Sequence, residues 1–98
     1  MARKQNQETI QLVKSLQTLA KKAVIEYKQE MDEIIDSGCR DKRRIERILD
    51  GMLGFCFDDN MLVLYKKLCR YYYAIDRNAT VEYVYAYRDM WDPIIYFL

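Results

Sequence analysis

The clearest helical pattern in the sequence is MLVLYKKLCRYYYAI, residues 61–75. At 100° per residue, its large apolar side chains fall within about 100° of arc and share one face of a helix. These are Met61, Leu64, Tyr65, Leu68, Tyr72 and Ile75. The basic residues Lys66, Lys67 and Arg70 lie on the opposite side. We therefore predict an amphipathic helix over residues 60–77 that buries one face against the rest of the chain.

A longer helix precedes it. Apolar side chains recur every three or four residues over Glu8–Ser37, which predicts one continuous helix there. Gly38 follows, and glycine is the residue type that most often stands just past a helix end. Leu12 and Leu19 broaden the apolar stripe in the first half of this helix.

Two shorter helices complete the pattern. One is predicted after Asp41, because aspartate is a favourable N-cap. Another is predicted to begin near Asn78 or Thr80 and to end at Asp92, since the residue before Pro93 is disfavoured in the α conformation. The predicted inner face of this last helix consists of Tyr83, Val84, Tyr87, Met90 and Trp91.

These elements predict an all-α fold, a small bundle of about four helices with a long N-terminal helix. We expect one domain over residues 1–98, with 1–7 disordered and 94–98 forming an apolar tail. The first helix would be roughly 45 Å long and the others roughly 20–27 Å. Unless two short helices follow end to end, part of the long one stays uncovered. A second copy, a foreign partner or the 94–98 tail would then have to cover it.

Composition argues against several classes of function. The chain has no histidine, the commonest general base and transition-metal ligand, and no glycine-rich phosphate loop. Its formal charge of +1 lacks the basic excess typical of nucleic-acid-binding domains. No apolar run approaches the ~20 residues that span a bilayer. We therefore expect a non-enzymatic protein with no catalytic residues, no metal, no cofactor and no membrane partner.

The three cysteines, Cys39, Cys56 and Cys69, are an odd number and show no Cys-x-x-Cys spacing. Cys56 and Cys69 fall within apolar periodic segments. We expect reduced thiols and a cytoplasmic location.

Aromatic residues are unusually frequent, with nine Tyr, one Trp and three Phe. Tyrosine suits a half-solvated interface because a large apolar ring carries a polar tip. It equally suits the margin of a bundle too thin to bury everything, and both interpretations remain open. The leading prediction is a module for protein–protein interaction or assembly, a homodimer. Its predicted partner-binding residues are Leu12, Leu19, Tyr71, Tyr73 and Tyr85.

A basic cluster supports an alternative, a nucleic-acid-binding accessory or regulatory protein. Cations can contact phosphates, and a helix start presents backbone N–H groups beside them. The predicted nucleic-acid-binding residues are Arg40, Lys42, Arg43, Arg44, Arg47, Lys66, Lys67 and Arg70.

Two segments of the C-terminal half, residues 68–73 (LCRYYY) and 87–92 (YRDMWD), carry a resemblance. Here the chain resembles small uncharacterised helical proteins of Gram-positive bacteria and their mobile elements. The resemblance implies a helical fold and brings no activity, cofactor or site residue with it.

Overall fold

The structure, a computed structural model, describes residues 2–92 of the 98, with side chains from Gln7 onward. It contains four helices, α1 (Ala2–Ser37), α2 (Lys42–Leu53), α3 (Asp59–Tyr73) and α4 (Arg77–Trp91), and no strand within residues 2–92. The predicted all-α fold with a long first helix is confirmed. Helix α1 begins earlier than predicted and includes most of the 1–7 segment expected to be disordered. The predicted apolar tail, 94–98, lies outside the described residues.

Local signals end α1 and begin α2 where the sequence predicts. Gly38 has φ +67°, the left-handed conformation that glycine adopts without strain. The N–H of Cys39 donates to the carbonyl of Ile34 at 2.9 Å, and that of Gly38 to Ile35 at 3.1 Å, the bonding pattern of a Schellman motif. The Asp41 carboxylate then accepts from the backbone N–H groups of Arg43 and Arg44, as a helix N-cap does.

The boundary between α3 and α4 differs from the prediction. Helix α3 ends at Tyr73 rather than near residue 77, and α4 begins at Arg77. The reason is Asp76, whose carboxylate accepts from the N–H of Ala79 at 3.0 Å and caps α4. Lys42 also lies 3.0 Å from this carboxylate. The hydrogen bond from Ala79, and then Lys42, lower the pKa of Asp76.

Helix α3 contacts each of the other three helices. Helix α1 also contacts α2. The core forms where α1, α2 and α3 meet. Its completely buried large side chains are Met31, Ile34, Ile45, Leu49, Met52, Met61, Leu68 and Tyr72. The predicted burial of Leu68 and Tyr72 is confirmed.

The predicted inner face of α4 is only partly correct. Tyr83 and Tyr87 are half-buried, but Val84, Met90 and Trp91 are exposed. The buried residue of α4 is Thr80, whose hydroxyl donates to the carbonyl of Asp76 at 2.8 Å. Helix α4 packs on α3 and also contacts α2 through Tyr83 and Trp91, and within residues 2–92 this packing leaves Val84, Met90 and Trp91 exposed.

The long helix extends far beyond its neighbours. With 36 residues, α1 should measure about 54 Å, and the longest dimension of the molecule is 53 Å. The first buried side chain of α1 is Ala20, and residues 7–19 are all exposed. Helices α2 and α3 pack on α1 where its side chains are buried, from Ala20 onward. The overhang expected from the sequence is therefore present.

Candidate interaction surfaces

The overhang, residues 7–19 of α1, exposes five large apolar side chains. Leu12 is 61% exposed and Leu19 55%. Ile10, Val13 and Leu16 are also exposed. An apolar stripe of this kind on a single helix is normally buried against another element. Within the described chain, the overhang stripe has no such cover.

Two aromatic residues continue this apolar surface at the base of the overhang. Phe57, in the α2–α3 loop, and Trp91, at the end of α4, lie with ring centroids 5.7 Å apart. A hollow of about 460 Å³ separates them from Val13 and Leu16. The indole N–H of Trp91 donates to the carbonyl of Leu53 at 2.7 Å, which holds the ring at the surface. The sequence pattern predicted Trp91 on the inner face of the last helix, and it predicted no role for Phe57.

The predicted partner-binding tyrosines differ in their surroundings. Tyr73 and Tyr85 are exposed, and each has an arginine over its ring, Arg77 at 5.5 Å and Arg88 at 5.6 Å. Tyr71 is half-buried, and its hydroxyl donates to the carbonyl of Cys39 at 2.7 Å. This hydrogen bond joins α3 to the turn between α1 and α2. Tyr71 thus lies at the opposite end of α1 from the overhang.

Other tyrosines join α2 to α3 and α4 through polar contacts. The Tyr72 hydroxyl donates to the Glu46 carboxylate, and the Tyr83 hydroxyl donates to that of Asp50 at 2.8 Å. Burial, and then these carboxylates, raise the pKa of both phenols. The Tyr65 hydroxyl donates to the Tyr83 carbonyl at 2.6 Å. Tyr65, Tyr72 and Tyr83 thus join helices at the edge of the bundle.

A groove runs between α3 and α4, with a volume of about 350 Å³. Its wall is almost entirely apolar and includes Leu62, Cys69, Val84 and Tyr87. Lys66 and Arg70 lie on its α3 side. Leu62 and Cys69 lie on α3 between its buried face and its basic face. Apolar residues in this position are the sequence signal that could have predicted the groove.

The basic residues of the 40–47 cluster fall into two groups. Lys42 pairs with Asp76 at 3.0 Å, and Arg44 pairs with Glu33 at 3.4 Å. Arg40, Arg43 and Arg47 are exposed and form no ion pair within the described residues. Three cations therefore remain accessible at the start of α2.

The structure does not bring the two predicted basic sets together. Arg43 and Arg47 lie opposite the buried face of α2, and Lys66, Lys67 and Arg70 lie opposite that of α3. Because α2 and α3 pack against each other through those faces, the two sets point to different sides of the bundle. The N-terminus of α2 is also occupied, since the Asp41 carboxylate accepts from two of its first N–H groups.

The three cysteines are free thiols, as predicted. Cys56 and Cys69 are buried, and burial raises their pKa values to about 12 and about 11. Within the described residues, no three His, Cys, Asp or Glu side chains cluster closely enough to hold a metal ion. None of the helices, over the same residues, is both long and apolar enough to cross a membrane.

Comparison of the chain with protein-family models, with curated proteins and with solved structures finds no match.

Proposed function

We propose that this protein is a non-enzymatic protein–protein interaction module of the cytoplasm that self-associates through the overhang. The observation that carries the proposal is the uncovered apolar stripe of residues 7–19, with Leu12 and Leu19 more than half exposed. Burying apolar surface is favourable by about 25 cal/mol per Å². An isolated helical extension of this length is also only marginally stable in water. The burial of apolar surface and the stabilisation of the helical extension both favour a partner along this stripe.

The charge of α1 determines how an antiparallel pair of overhangs responds to salt. Residues 1–22 carry a net charge of +4, from Arg3, Lys4, Lys14, Lys21 and Lys22 against Glu8. Residues 23–37 carry −4, from Glu26, Glu30, Asp32, Glu33 and Asp36 against Lys28. The apolar face of residues 23–37 already packs on α2 and α3. An antiparallel pair that buries the stripe of residues 7–19 therefore aligns the two overhangs with each other, with one basic half beside the other. The same patch on both copies then forms a closed two-fold dimer.

Sedimentation equilibrium of the chain between about 1 and 100 μM tests this proposal. We expect the mass to rise from 11.9 kDa towards twice that value. Salt tests this arrangement, because screening weakens the repulsion between like charges. Added salt should therefore strengthen a dimer through the overhangs, whereas it should weaken a dimer that pairs basic with acidic halves. A monomer over the whole concentration range would exclude self-association.

The accessible arginines support a second candidate function, binding of a nucleic-acid backbone. Arg40, Arg43 and Arg47 form no ion pair within the described residues and are available for phosphates. Fluorescence anisotropy with duplex and single-stranded DNA at two salt concentrations tests it. Arg43→Glu combined with Arg47→Glu should reduce both affinity and salt slope. An unchanged slope would remove this candidate.

A further inference from the structure

We propose that the α3–α4 groove binds an acidic amphipathic helix of a partner protein. This surface is separate from the overhang, and binding there does not depend on self-association.

The groove accepts apolar side chains and offers few polar contacts. Two of its hydroxyl groups are already hydrogen-bonded within the chain, since the Tyr65 hydroxyl donates to the Tyr83 carbonyl and the Thr80 hydroxyl donates to the Asp76 carbonyl. The Cys69 thiol is buried. Apart from Lys66 and Arg70, the groove therefore offers few hydrogen-bonding partners to a small polar ligand.

The dimensions suit a helix. The lining residues of α3 extend from Leu62 to Tyr73, about 16 Å or three helical turns. The groove is a surface feature and not an enclosed cavity, whereas ligand pockets usually enclose most of their ligand. A helix lying in an apolar groove inserts side chains spaced by three or four residues and keeps its other face in water.

The charges specify which helix. Lys66 and Arg70 stand one turn apart along the groove and form no ion pair within the described residues. No lining residue carries a carboxylate. The complementary occupant thus has Asp or Glu beside its apolar stripe. The basic half of α1 from a second copy does not meet this requirement.

Single-stranded nucleic acid fits the groove less well. Such binding needs aromatic rings with open faces on which bases stack. Tyr65 and Tyr87 instead pack against each other, with ring centroids 6.2 Å apart. Arg77 lies over the ring of Tyr73.

A designed peptide provides the test. The probe is a fluorescent helix of about 14 residues with Leu at i, i+4 and i+7, flanked by Glu, and the control peptide carries Lys in place of Glu. We expect the acidic peptide to bind in fluorescence anisotropy, with amide shifts in NMR at Leu62, Val84 and Tyr87. Lys66→Glu combined with Arg70→Glu should weaken binding by about tenfold and should favour the Lys peptide instead.

The matched control is Arg43→Glu combined with Lys67→Glu, which reverses two exposed cations outside the groove and should leave binding unchanged. The proposal is overturned if the acidic peptide does not bind at millimolar concentration, or if it binds the Lys66 and Arg70 variant equally well. Displacement of the peptide by oligo-dT at lower concentration would overturn it in favour of a nucleic-acid site. The dimer mass is measured separately, so failure here leaves the proposed self-association standing.

Discussion

Replacing Leu12 and Leu19 by glutamine is the sharpest test of the overhang interface. Glutamine and leucine have similar helix propensities, so each monomer should keep its fold. Leu12 is 61% exposed and Leu19 is 55% exposed in the single chain. Fully burying a leucine contributes about 1.5–3 kcal/mol, and roughly half of that remains available at each position. A two-fold dimer uses each leucine twice, which gives a total of about 3–7 kcal/mol.

The double variant should therefore raise the dimer dissociation constant by at least about a hundredfold. Sedimentation equilibrium of the wild-type and variant chains over the same concentrations measures this change. Ile25→Gln is the matched control, because Ile25 lies on α1, is 71% exposed and points away from the stripe. Equal dissociation constants for the double variant and the wild type would refute the reasoning.

A second refuting result would come from a wild-type chain that stays monomeric while amides 10–20 exchange slowly with solvent. Slow exchange requires protection of the overhang, and a monomer leaves only the chain itself to provide it. Residues 94–98 would then be the cover, and the dimer would be excluded.

Three further predictions concern the bundle itself. Leu68→Ala removes a completely buried side chain and should lower the free energy of unfolding by about 2–5 kcal/mol in urea titration, and a loss below roughly 1 kcal/mol would contradict the assigned core face. Gly51→Ala should lower the stability of the fold, because the Tyr27 ring occupies the space of the new methyl group. Gly54→Ala is the control and should be neutral or stabilising, since the nearest atom to its new methyl group is 3.9 Å away. Equal melting temperatures for the two variants would show that Tyr27 moves aside. At pH 8 the buried thiols of Cys56 and Cys69 should resist alkylation in the native chain, since their pKa values of about 12 and about 11 keep them protonated. Alkylation in native buffer as fast as in urea would contradict their burial. Raising the pH should lower the free energy of unfolding, because the thiols of the unfolded chain ionise first, near pH 9.

Local chemistry was readable from the sequence. The 3- and 4-residue spacing identified the buried face of α3, and Gly38 and Asp41 located the turn between α1 and α2. These features depend on neighbours in the chain, namely the period of a helix and the hydrogen bonds of its ends. The overhang was predictable for the same reason, since helix length follows directly from residue count.

Only the tertiary structure decided which amphipathic faces were covered. The spacing of Val84, Met90 and Trp91 predicted a buried face, yet the packing of α4 on α3 and α2 leaves these side chains exposed. The pairing of Lys42 with the Asp76 carboxylate, which also caps α4, joins residues that lie far apart in the chain. The α3–α4 groove and the separation of the two basic sets depend on which helices meet, and that choice rests on contacts between residues far apart in the chain.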